Sequence, residues 1–306
     1  MPQLTNTMVA ALAATTLALA PTPPPDGLTQ TLAPDQSVAS GRAVLETGHV
    51  DIGPRFRDGR WTVQIHDDTV VPPVWRRPSD VVLRIRDAAV EQVPDDPAYA
   101  FLGQPAGTPV HVVPQTQNQD VVWIGWNTQD PGVMDAIARG VTMHLLGVQG
   151  PGSVVVYLQS GNLGAPQVLW HSTKAYPQPL WVETNTHTHA NWIFSKPGVY
   201  LIAVEITADL VDGERVSGRE VLRVAVGDST PVDDAFTAAY TGSLPSTAAT
   251  ATAAAAAPQD GGGSGRPGVV VPLLVAAAVV LAAALVLVLV RGARVRRRAL
   301  DPEENA

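Results

Sequence analysis

The chain has 306 residues, 45% of them hydrophobic, no cysteine and a formal charge of −8. Without cysteine there can be no disulfide, thiolate metal site, blue-copper site or cysteine nucleophile, so a folded domain must stand on its hydrophobic core. The acidic balance argues against nucleic-acid binding and leaves cations open as ligands.

Residues 8–20 are apolar and end in Ala18-Leu19-Ala20. They resemble the apolar region and small-residue cleavage site of a secretory signal, so residues 1–20 are expected to be a signal peptide. Residues 21–37 are Pro-rich and read as an extended linker. From 38 to 228 the pattern changes to short runs separated by Pro, Gly, Asp and Asn. Strands are expected at 61–65, 81–86, 110–113, 121–126, 141–146, 154–158, 168–170, 199–206 and 221–226. One short helix is expected at 131–139, with Asp130 as its cap, Pro131 in its first turn and Gly140 at its exit. A helical turn is expected at 99–102. Many short strands with turn signals between them predict an all-β fold, an immunoglobulin-like β-sandwich.

Residues 229–268 are rich in Ala, Thr, Pro and Gly and contain Gly261-Gly262-Gly263-Ser264-Gly265. They lack the large apolar residues a core needs and read as a disordered stalk. The 22 residues from Val269 through Val290 carry no charge. At about 1.5 Å per residue they reach about 33 Å, enough for a hydrocarbon core of about 30 Å. Arg291, Arg294, Arg296, Arg297 and Arg298 follow at once. Arginine clusters stay on the cytoplasmic side, so 269–290 is expected to be a transmembrane helix and 291–306 a cytoplasmic tail. That predicts a single-pass protein of the cell membrane with its N-terminal domain outside.

All seven histidines precede the stalk. The sharpest local pattern is Asn185-Thr186-His187-Thr188-His189-Ala190-Asn191-Trp192. In a strand, residues two apart share a face, so His187 and His189 point the same way with Asn191, while Trp192 and Phe194 point into the core. The histidines are then expected side by side on a face away from the core. Neutral imidazoles so placed can bind a borderline cation such as zinc. By the same period, His49 and Asp51 share a face. His66-Asp67-Asp68 is a third cluster, and Asp67 and Asp68 also read as turn residues before Pro72-Pro73. If one of these clusters folds against His187 and His189, three or four nitrogen and oxygen donors converge, a set suited to zinc or manganese. Hydrogen-bonded surface histidines are the alternative. Trp123 and Trp126 fall on opposite strand faces, one in the core and one free to line a pocket or an interface. Trp75 stands beside Arg76 and Arg77, either as a cation–π partner or in an exposed loop. Gly-x-Ser-x-Gly, His-Glu-x-x-His and phosphate-loop patterns are absent. The Asp-His that would complete a binuclear zinc-hydrolase motif after His187-Thr188-His189 is replaced by Asn191-Trp192, so the reading is non-catalytic.

Three stretches together resemble one family. They are Leu45-Glu46-Thr47-Gly48-His49-Val50-Asp51, then Val121-Val122-Trp123-Ile124-Gly125-Trp126-Asn127-Thr128, then the run from His187 through Lys196-Pro197-Gly198-Val199-Tyr200. The chain resembles the actinobacterial surface-anchored proteins described as choice-of-anchor M domain proteins, over about 38–226. The third stretch is similar to a repeat those proteins share with substrate-binding components of neighbouring ABC transporters. The resemblance implies a surface-attached receptor beside a metal-ion importer, with His49, His187, His189 and Trp192 matching family positions. Two features depart from it. Leu244-Pro245-Ser246-Thr247-Ala248 has Ala where a sortase signal has Gly, and only one His-x-His copy is present. The expectation is an extracytoplasmic receptor for a divalent metal, zinc first, or a metal-linked ligand, held by His187 and His189 with His49 and Asp51 completing the site. An adhesive surface module is the alternative.

Overall fold

The computed structural model describes residues 32–161 and 164–245. The expected signal peptide, most of the linker, the rest of the stalk, the membrane span and the arginine tail lie outside the described residues. Among the described residues no helix is long and apolar enough to cross a membrane.

The protein is mostly β, with sandwich-like sheets. In chain order the strands are β1 (Ala43–Leu45), β2 (Gly48–Arg57), β3 (Arg60–Asp67), β4 (Val74–Arg76), β5 (Val81–Ile85), β6 (Val90–Gln92), β7 (Pro109–Val113) and β8 (Val122–Asn127). Helix α1 (Pro131–Ala136) runs into β9 (Ile137–Gln149), followed by β10 (Val154–Leu158), β11 (Gln167–His171) and β12 (Gln178–Glu183). Then come β13 (His187–His189), β14 (Asn191–Phe194), β15 (Gly198–Leu210), β16 (Arg215–Val226) and helix α2 (Val232–Thr237). All nine expected strands are present.

Three sheets form. The first has the order β1-β5-β16-β15-β9-β12, the second β11-β10-β14-β7-β6, and the third β13-β8-β2-β3-β4. The long β15–β16 and β2–β3 hairpins are antiparallel, whereas β2 pairs with β8 in parallel. Asp58 and Gly59 both have positive φ and close the β2–β3 hairpin, where a two-residue turn needs that conformation. Alternating apolar residues fill the main core. Val50, Ile52, Val63, Ile65, Ile124 and Trp126 come from the third sheet, Met143, Leu145, Ile202, Val204, Leu222 and Val224 from the first, and Trp170, Trp192 and Phe194 from the second. Trp192 and Phe194 are 2% and 0% exposed, as their strand parity predicts.

Several boundaries differ from expectation. Helix α1 stops at Ala136, with the Asp130 side chain accepting from the Val133 N–H, and Ile137 to Arg139 already belong to β9. The β-branched Ile137 pairs with Leu210, so sheet pairing wins over the helical pattern before Gly140 is reached. The expected turn at 99–102 lies in a 3₁₀ helix, Pro97–Leu102, that lays Tyr99, Phe101 and Leu102 over the outer side of the second sheet. Leu32 and Gln36, assigned by sequence to the linker, pack against the domain: Leu32 is buried and the Gln36 carbonyl accepts from Arg55. At the other end the expected stalk begins too early. Helix α2 buries Ala235 against Val82 and Ala225, and Arg223 donates to the carbonyls of Ala235 and Ala238.

Candidate metal centre

The site is built from one face of the third sheet. In β2, His49 and Asp51 are two residues apart, as are His187 and His189 in β13. Strand β8 lies between them and shows Trp123, Gly125 and Asn127 to the same side. Register aligns the groups. Asp51 pairs with Gly125 and Gly125 with His189, while His66 and Trp75 extend that row across β3 and β4. Gly125 is the gap that lets the two outer strands meet. A Cβ there would lie 2.5 Å from Asp51 Oδ1 and 2.7 Å from His189 Cε1.

Across that gap four donors converge, among them all three imidazole Nε2 atoms. His49 Nε2 is 3.0 Å from both His187 Nε2 and His189 Nε2, and the latter two are 3.1 Å apart. Asp51 Oδ1 lies 3.2 Å from His187 Nε2 and 3.6 Å from the Nε2 atoms of His49 and His189. A point equidistant from the corners of this tetrahedron is about 2.0 Å from each, within the range of Zn–N and Zn–O bonds, about 2.0–2.2 Å. The triangle of nitrogens also makes poor sense without a cation. A neutral imidazole carries one N–H, so three mutual Nε2 contacts cannot all be hydrogen bonds, and three lone pairs turned together repel.

The surrounding groups aim these donors. His49 Nδ1 donates to Asp68 Oδ2 at 2.5 Å, which leaves its Nε2 as a bare lone pair facing the centre. Trp123 stacks flat on His189, with ring centroids 3.6 Å apart and planes 11° apart. The Trp123 indole N–H donates to the Gln115 carbonyl, and the Gln115 N–H donates to Asn191 Oδ1. Asn127 Nδ2 donates to Asp51 Oδ2 at 3.3 Å. Burial is deep: the side chains of His187 and His189 are 1% exposed and that of Asp51 is 0%.

Burial and neighbouring groups together set the states of His189, Asp51 and Asp68. Burial drives the His189 imidazole down from its ordinary value of 6.5 to about 3, Asp51 opposes that shift, and the other two imidazoles reinforce it. Burial pushes the Asp51 carboxyl up, but the His187 hydrogen bond and the three imidazoles outweigh it and hold it below its ordinary value. Asp68 is likewise held low against burial, by its bonds to His49 and His66. A neutral His189 and an ionised Asp51 are the forms a cation requires.

His49, Asp51, His187 and His189, the four residues proposed from sequence, are thus brought together, and this set can hold a metal ion. Their setting differs from expectation. The side chains of the histidine pair are buried, and the chain changes sheets at Ala190: His187–His189 joins β8 while Asn191–Phe194 joins β10 and β7. Asn191 therefore does not share the histidines' surroundings but braces Gln115. The third cluster divides. Asp67 is buried and takes the Arg76 Nε at 2.6 Å, whereas Asp68 reaches His49. His66 is buried beside Asp68 and meets Gln36 Oε1. Trp75 is fully buried, and its cation partner is Arg55 rather than Arg76 or Arg77. Of the tryptophan pair, Trp126 is core and Trp123 lines the site. Gly125 and Asn127 were not expected as contributors, and the strand alternation of Trp123, Gly125 and Asn127 was the one signal for them; Asp68, from the third cluster, contributes through His49.

No protein-family model, curated protein or solved structure matches this chain.

Proposed function

We propose that this protein is a membrane-anchored extracytoplasmic receptor for a divalent metal, with zinc as the preferred ion. His49, Asp51, His187 and His189 hold the ion on an immunoglobulin-like β domain, and an associated ABC importer takes it up. The observation that carries this reading is the triangle of Nε2 atoms at 3.0–3.1 Å, capped by the Asp51 carboxylate. Nitrogen and carboxylate donors in a four-cornered arrangement favour zinc over calcium or magnesium, which take six or more oxygen donors. Four protein donors fill a tetrahedral shell and leave no corner for an activated water, which supports binding rather than hydrolysis. The apolar run from Val269 through Val290 with its arginines supports the anchor, and the family resemblance supports the importer.

A structural ion is the rival reading, favoured by the near-complete burial of three of the four ligands. A receptor must give up its metal without unfolding. The chelated chain is expected to keep its β-sheet circular dichroism and to take up one equivalent of zinc in a calorimetric titration. Loss of the β signal on chelation would overturn the receptor reading in favour of a structural ion.

A further inference from the structure

We infer that Asp68 is a positioning residue that holds His49, and that this pair is the movable arm through which a zinc-type cation enters and leaves. The inference rests on the metal reading above. Among the four ligands and Asp68, side-chain exposure is confined to this pair: the His49 side chain is 13% exposed and that of Asp68 19%, against 0–1% for Asp51, His187 and His189. The other ligands are held from several sides. His189 lies flat under Trp123, and Asp51 is bonded to Asn127 in the middle of β2. His49 meets Trp123 only at a tilt, with centroids 5.2 Å apart and planes at 54°. It is the second residue of β2, following Gly48, which has positive φ.

Asp68 grips His49 twice, through its N–H to the His49 carbonyl at 3.2 Å and through its carboxylate to Nδ1. Its second oxygen is held by His66 Nδ1 at 3.3 Å, so the carboxylate has a fixed aim. A carboxylate accepting from Nδ1 keeps the Nε2 lone pair inward and makes the imidazole a stronger ligand. When that bond opens, the His49 ring can turn toward solvent. Three donors then remain on the ion, and the vacated corner faces the one side with exposed surface. Asp68 touches the ion in neither state.

The test is metal release from the full-length chain loaded with zinc, followed by stopped flow against an excess of a coloured chelator. Asp68→Asn keeps the shape and removes the charge. It is expected to release zinc about tenfold faster or more, the size typical of lost outer partners, from a chain that still folds when chelated. With Co²⁺ in place of zinc, the intense visible bands of a four-coordinate ion should remain, since all four ligands remain. Asp68→Glu, which keeps a carboxylate at a shifted position, should fall between the two. Release from Asp68→Asn at the parent's rate would overturn the inference. If Asp68→Asn does not fold, a parent-like rate in Asp68→Glu overturns it instead. A parent chain that binds no zinc would sink the metal reading and this inference with it, an outcome distinct from equal rates in chains that do bind.

Discussion

Gly125 decides whether the four ligands can meet. Its neighbours Asp51 and His189 approach from opposite strands into space that any side chain would fill. Gly125→Ala is expected to abolish tight zinc binding in calorimetry and to cost about 1–3 kcal/mol of apo stability through overpacking. Parent-like affinity would show that the ligands do not converge over β8. His189 supplies a second prediction. Because burial holds its folded-state value at about 3 against an ordinary 6.5, the unfolded chain carries a proton there between those limits that the folded chain lacks. Stability therefore rises with pH across that window and is lost as pH falls from 6.5 toward 3. Asp51 and Asp68, whose values are lowered, add a further loss below their ordinary 3.8. Melting temperatures of the chelated chain should be level above pH 7 and fall steadily from pH 6.5 to 4. A flat profile would mean that the imidazole is solvated.

At the scale of elements, the decisive event is the change of sheet at Ala190. Period-two reasoning correctly put His187 with His189, His49 with Asp51, and Trp192 with Phe194, because side-chain parity within a strand is a local property. It could not show that one continuous run serves two sheets, so Asn191 was expected beside the histidines. Pairing partners more than 130 residues away, such as His49 with His187, leave no trace in a local pattern. Asp67 and Asp68 show the same limit. As adjacent acids before a proline pair they read alike, yet one neutralises Arg76 beneath the sheet and the other orients His49. The C-terminal boundary is hidden in the sequence for another reason. Helix α2 is a six-residue helix with few large apolar groups, and its docking depends on Ala235 fitting tightly against Val82 and Ala225. Ala235→Glu is accordingly expected to cost about 2 kcal/mol or more in urea denaturation, since the carboxylate would be buried without a partner. A cost near zero would return these residues to the stalk.

For the molecule as a whole, the sheets bring together a His/Asp group that could hold a cation, on a chain whose sequence predicts a tether to the membrane. The core does not need the metal in order to exist: the main apolar cluster draws on all three sheets, while the ligands occupy the opposite face of one. Metal should therefore add stability by binding the native state alone, raising the melting temperature with zinc concentration. The most direct measurement is X-ray absorption at the zinc edge on the full-length chain loaded with one equivalent, alongside His187→Ala/His189→Ala. Four nitrogen and oxygen neighbours at about 2.0 Å with imidazole scattering are expected in the parent, and no retained zinc in the double variant. A six-coordinate, largely aqueous zinc in the parent, or a spectrum the double variant reproduces, would contradict the metal reading.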